Sequence, residues 1–169
     1  MNKSIRNRVF NYDKWLVLLL ITMPITLIAF DGWQVRPSIS NYVYMQHNQV
    51  FYFLLIIASS MFGYSGALWL KNYNILLGAL LLGVALTPHL QFPIIHFTFA
   101  GLFFLGSIFV MIYYSSKEQR TFKIITGVVI ILAMLLHFVF NTFSLFYAEW
   151  IGIIPIAIHY IGETLNIID

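Results

Sequence analysis

Six apolar runs dominate this chain, at about residues 15–30, 48–70, 74–90, 93–115, 121–146 and 149–167. A helix needs about 20 residues to cross the hydrocarbon of a bilayer, within a range of about 17–25. Four of the runs meet that length comfortably. The first is slightly short, and Thr87-Pro88-His89 polarises the end of the third. Only 9% of the residues are charged and 60% are hydrophobic, with mean hydropathy +0.85. A soluble domain carries about 25% charged residues. There is too little polar surface to cover a globule in water, so the bilayer is the expected solvent. Aromatic residues make up 18%, which suits wide lipid-facing and interfacial surfaces.

Charge placement chooses a topology. With six crossings and a cytoplasmic N-terminus, Lys3, Arg6, Arg8, Lys14, Lys71, Lys117, Arg120 and Lys123 all lie inside. Arg36 lies outside, so eight of the nine basic residues obey the positive-inside rule. If the third run failed to cross, Lys117, Arg120 and Lys123 would move outside. The expected fold is therefore an all-α integral membrane protein, a single domain over 1–169 with six transmembrane helices in one bundle and both termini cytoplasmic. Short connections make sequential helices antiparallel neighbours. The exception is the first outer loop, about 31–47. The basic start "MNKSIRNRVFNYDKW" precedes an apolar run too long for a signal peptide, without an A-x-A-like exit, and reads as part of an uncleaved first helix.

Several chemistries are excluded. There is no cysteine, hence no disulfide, thiolate nucleophile or Cys-ligated metal. There is no GxSxG, SxxK, Walker loop or Rossmann fingerprint. No lysine lies deep in a span, and no basic stripe suits a nucleic-acid partner.

Polar groups inside a membrane face the bundle interior. In the last run, Glu149, Gly152, Ile156, His159 and Glu163 recur at spacings of 3, 4, 3 and 4, which is one helical stripe. Pro155 lies within it and is expected to kink the helix. In the fifth run, Gly127, Ile130, Met134, His137, Asn141 and Ser144 make a second stripe, with His137 and Asn141 one turn apart. His89 ends the third run and His96 opens the fourth. In this topology His89, His96, His137, Asn141 and Glu149 share the outer half of the bundle. Ser59, Gly63 and Gly66, with Gly101 and Gly106, are small residues suited to close helix packing.

These residues support two chemical readings. A polar pocket between the fourth, fifth and sixth spans would contact a lipid headgroup through His96, His137, Asn141 and Glu149, with Arg36 neutralising a phosphate or pairing with Glu149. Alternatively, His89, His96 and His137 would bind zinc beside Glu149 and hydrolyse a lipid amide or ester. No HExxH-type spacing supports the zinc set. Each residue also has a plain reading. Glu149 is either a functional acid or a carboxylate favoured by the dipole of a helix start. Trp150 is an interfacial anchor. His159 is a hydrogen-bonded histidine near the midplane or a relay to Glu163.

The motifs "PSISNY" at 37–42, "PIIHFTFAGLFF" at 93–104 and "AEW" at 148–150, on six spans, carry a resemblance. The chain resembles the six-helix membrane family of the damage-regulated autophagy modulators and the GPI-anchor remodelling factor, with related prokaryotic membrane proteins, from about Trp15 to Ile161. That resemblance implies the handling or sensing of membrane lipids and marks Ser38, Ser40, His96, Glu149 and Trp150. The family often has an acid after "SIS"; here that position is Asn41. A looser likeness is to the ceramidase and adiponectin-receptor superfamily, but the seventh span and paired HxxxH are absent.

The leading expectation is a protein that binds, senses or remodels membrane lipids without a resident cofactor. Zinc belongs to the hydrolase alternative. The third alternative is an accessory subunit of a larger membrane complex or a homo-oligomer, with the polar stripes joining helices. Richness in Ile, Asn and Lys favours the cytoplasmic membrane of a prokaryote.

Overall fold

A computed structural model describes the backbone of residues 3–164 and the side chains of residues 12–160. The side chains of Lys3, Arg6, Arg8 and Glu163 lie outside the described residues, and with them the relay from His159 to Glu163. The described residues form helices α1 (Lys3–Phe30), α2 (Asn48–Trp69), α3 (Asn72–Leu86), α4 (Pro93–Tyr113), α5 (Lys117–Phe138) and α6 (Leu145–Thr164), with a 3-10 helix (Ile39–Tyr44) between α1 and α2. The fold is all-helical, with no strand among the described residues.

Four helices contain stretches long and apolar enough to cross a membrane: Tyr12–Phe30, Asn48–Trp69, Pro93–Tyr113 and Lys117–Phe138. The third run ends earlier than its hydropathy suggests. α3 has 15 residues, about 22 Å at 1.5 Å per residue, against a hydrocarbon core of about 30 Å. Pro88 disfavours helical backbone at Thr87, which lies just past the last helical residue. α6 has 20 residues, about 30 Å at 1.5 Å per residue.

The fifth run is corrected more sharply. It was expected to continue to 146, but α5 stops at Phe138. Asn141 takes a left-handed conformation, φ +49°, which asparagine tolerates better than most residues. Its N–H donates to the His137 carbonyl at 3.0 Å, and the Thr142 N–H donates to that of Leu136 at 3.2 Å. The expected helical stripe from His137 to Asn141 is therefore broken: Asn141 is exposed in the α5–α6 turn. α6 begins at Leu145 rather than 149 and runs through Pro155.

The helices pack as a ring. α2 lies along α3, α3 along α4, α1 against both α2 and α6, and α5 against α6. The closest approach is between α2 and α3. A Cβ on Gly78 would lie 2.7 Å from the Ser59 carbonyl oxygen and 3.0 Å from the Gly63 nitrogen. The Ser59 hydroxyl donates to the Gly78 carbonyl at 2.6 Å across the same contact. Gly66 likewise admits the Ile75 backbone. The ring is loose where α4 faces α5, and those two helices touch sparingly. Gly101, expected to pack a helix, faces open space there: no heavy atom lies within 4 Å of a Cβ built on it.

A candidate lipid cleft beside a buried carboxyl group

The first connection does not run free in solvent. Asp31 receives two bonds from Arg36, at 2.6 Å from Nε and 3.0 Å from Nη2. This pairing is bidentate, and it pushes the Arg36 guanidinium above its ordinary range. Arg36 thus pairs with Asp31, not with Glu149. Tyr42, fully buried, donates its hydroxyl proton to the Gln34 carbonyl at 2.9 Å and accepts from the Arg36 N–H at 3.3 Å. The loop closes on its own aromatic core and carries the 3-10 helix into the bundle between α1, α2 and α6.

Two helix starts then satisfy each other. The first N–H groups of any helix lack a partner within it. The Phe146 N–H, in the first turn of α6, donates to the Pro37 carbonyl at 2.8 Å. In return the Ile39 N–H, first in the 3-10 helix, donates to Glu149 Oε2 at 2.5 Å. Glu149 is 9% exposed. Its Oε1 has no hydrogen-bond partner among the described residues.

The hydroxyl groups beside this contact have assignable directions. Ser38 Oγ accepts from the Asn41 N–H at 3.1 Å and from Asn41 Nδ2 at 2.9 Å. A hydroxyl has two lone pairs and one proton. Ser38 therefore donates its proton to Ser40 Oγ, 3.0 Å away, and the proton of Ser40 remains for another acceptor. Ser40 and Glu149 both line a small cavity of about 50 Å³ bordered by the 3-10 helix and by α1, α2, α3, α4 and α6.

Glu149 also lines a larger space on the side of α4. This cleft, about 370 Å³, occupies the loose seam between α4 and α5 with α6 behind it. Its walls are apolar, among them Phe97, Phe104, Ile130 and Phe138. Between His96 and Ile108 it follows α4 for about 18 Å. His96 and Glu149 are its two titratable lining groups. No lysine or arginine is among its described lining residues. Phe104 and Ala100 form its boundary with the smaller cavity, since both line each space.

The other residues singled out from sequence disperse. His96 Nδ1 lies 2.7 Å from the Thr87 carbonyl. A carbonyl only accepts, so Nδ1 carries the proton and Nε2 of the neutral ring is an acceptor. The His89 and His96 rings lie 5.7 Å apart, and Tyr44 packs edge-on against His89 at 5.2 Å. His137 turns to the Phe143 carbonyl, 2.8 Å from Nδ1, and does not join them. Among the described residues, no three His, Cys, Asp or Glu side chains gather to hold a metal ion. Trp150 is half-buried against Phe146, at 5.9 Å between rings, and its Nε1 has no hydrogen-bond partner among the described residues. His159 lies far along α6, beside Asn74, Ser107 and Tyr160 around a void of about 10 Å³. Of the expected pocket set, then, His96 and Glu149 meet in the cleft, with Ser40 just behind.

The cleft walls were missed in sequence because Phe97, Ala100 and Phe104 read as ordinary span residues and Gly101 as a glycine for close helix packing. Their one local signal is the Ala100-Gly101 pair, small residues amid phenylalanines. Asn74 and Ser107 were also passed over, although Ser107 is an isolated polar residue in an apolar run.

No curated protein and no solved structure matches the chain. A family model does match, over residues 22–164, from within α1 to the end of α6. The chain belongs to that family, a family of unknown function (DUF7103).

Proposed function

We propose that this protein is a six-span membrane protein with cytoplasmic termini, which holds a membrane lipid in the cleft between α4, α5 and α6. The observation that carries the reading is the pairing of His96 and a nine-tenths-buried Glu149 with one long apolar space at a loose helix seam. Small-molecule sites are concave, mostly apolar and fitted with a few fixed polar groups, at about 300–1,000 Å³. Glu149 Oε1 has no hydrogen-bond partner among the described residues, and a bound polar group would supply one in an otherwise apolar surrounding. The acyl chain would lie along Phe97, Phe104 and Ile108, and its polar end would meet Glu149.

Eight basic residues on the side opposite Arg36 support the six-span topology. In that arrangement α3 is too short for an undeformed bilayer, and local thinning would accommodate it. The resemblance to the autophagy-modulator and anchor-remodelling family, a lipid-handling group, points in the same direction. A prokaryotic cytoplasmic membrane is the host that the composition favours.

The test is native mass spectrometry of the full chain after gentle detergent extraction. The wild-type protein is expected to retain lipid, and Gly101→Trp, which fills the seam, to lose it while remaining folded. Equal lipid retention by both proteins would remove the cleft as the site.

A further inference from the structure

The cleft is provided with a carboxyl group and a histidine acceptor but with no cation, and that combination selects among lipids. Resting on the reading of the cleft as a lipid site, we propose that its ligand is an uncharged acyl lipid bearing a free hydroxyl next to its chains, such as a diacylglycerol, and that phosphate-bearing lipids are rejected.

An anion taken out of water needs a counter-charge or several donors. Among the described residues, no lysine or arginine lines the cleft. Arg36, the basic residue nearest in the chain to the "PSISNY" segment, is held by both oxygens of Asp31. The Ile39 N–H already donates to Glu149, and the Phe146 N–H already donates to Pro37. His96 uses its Nδ1 proton on Thr87. The Ile39, Phe146 and His96 Nδ1 donors are therefore committed, the Ser40 hydroxyl and Trp150 Nε1 are neutral donors only, and a phosphate group would enter against a carboxyl group without a counter-charge.

A hydroxyl meets the opposite situation. Glu149 Oε1 is available, and a His96 ring that donates from Nδ1 to Thr87 leaves Nε2 as an acceptor in its neutral form. A hydroxyl both donates and accepts, so it pairs with a carboxyl group whichever proton that group carries. Behind Glu149, the unassigned Ser40 proton and the 50 Å³ cavity leave room for a water, since one water needs about 10–15 Å³ of such space. The polar end is thus matched to a small neutral group, and the 370 Å³ apolar part to hydrocarbon.

The experiment compares two lipids that differ only at this group. The full chain in detergent is titrated with dioleoylglycerol and with dioleoyl phosphatidate, and binding is read by native mass spectrometry and by the shift in thermal midpoint. The same titrations are run on Gly101→Trp and Glu149→Leu. The wild type is expected to bind dioleoylglycerol at least about tenfold more tightly, the ratio that 1.4 kcal/mol represents. Gly101→Trp should bind neither lipid, and Glu149→Leu should lose the preference. Phosphatidate binding as tightly as dioleoylglycerol, and blocked by Gly101→Trp, would overturn the hydroxyl assignment and leave the cleft as a lipid site. Binding of both lipids unaffected by Gly101→Trp would remove the cleft reading and this inference with it. If Glu149→Leu does not fold, the wild-type ratio together with Gly101→Trp still decides.

Discussion

The Glu149 carboxyl group accepts the Ile39 N–H at 2.5 Å across 110 residues of chain. The contact joins the start of α6 to the start of the 3-10 helix, and the Phe146 N–H to Pro37 carbonyl bond at 2.8 Å closes the exchange from the other side. One side chain thus fastens the first connection and also lines the cleft.

Removing that acceptor leaves a buried N–H without a partner. Leaving such a donor unsatisfied costs about 1–3 kcal/mol. Glu149→Ala is therefore expected to lower the stability of the detergent-solubilised protein by about that amount. Glu149→Gln keeps an acceptor oxygen and should retain most of the stability. Thermal unfolding followed by circular dichroism separates the two, and equal midpoints for both variants would show that the bond contributes little.

The α2–α3 contact predicts a contrast between two glycines. A Cβ at Gly78 would meet the Ser59 carbonyl at 2.7 Å, and backbone cannot swing away as a side chain can. Gly78→Ala should destabilise by about 1–3 kcal/mol, the usual effect of overpacking. Gly63→Ala meets nothing within 4 Å and should be neutral or slightly stabilising through better helix propensity. Denaturant midpoints of the two variants test this, and similar losses would contradict the close approach.

The α5–α6 turn depends on a left-handed residue. Asn141 at φ +49° tolerates this conformation, whereas a β-branched side chain does so poorly. Asn141→Val is expected to destabilise by about 1–2 kcal/mol, and Asn141→Gly to be near neutral. Because the residue is exposed, lost packing would not mimic the effect. The comparison is made by thermal midpoint, and a tolerated valine would refute the role.

The α6 stripe was legible because helical period and burial agree. Glu149, Gly152, Ile156 and His159 recur on one arc and are all buried. The α5 stripe was legible only as far as His137. Beyond it the local turn conformation of Asn141 prevails over a hydrophobic pattern that continues to Phe146, since hydropathy does not report φ. Hydropathy likewise carried the third run past Pro88, where the backbone cannot follow. The histidines misled in a different way. The six-span topology expected from sequence puts His89, His96 and His137 at similar depth, but depth leaves the rotation of each helix and the nearest carbonyl open. His137 is taken by Phe143 and His96 by Thr87.

By itself the sequence determined that the chain is helical and apolar enough to enter a membrane, because length, hydropathy and scarcity of charge act locally and additively. It also determined which face of α6 turns inward. Only the tertiary structure decided that residues 38–44 fold into the bundle, that Ile39 meets Glu149, and that the ring of helices is loose between α4 and α5. Those outcomes depend on which unsatisfied N–H groups and which side-chain volumes meet across more than 100 residues of chain, and no local pattern encodes such a meeting.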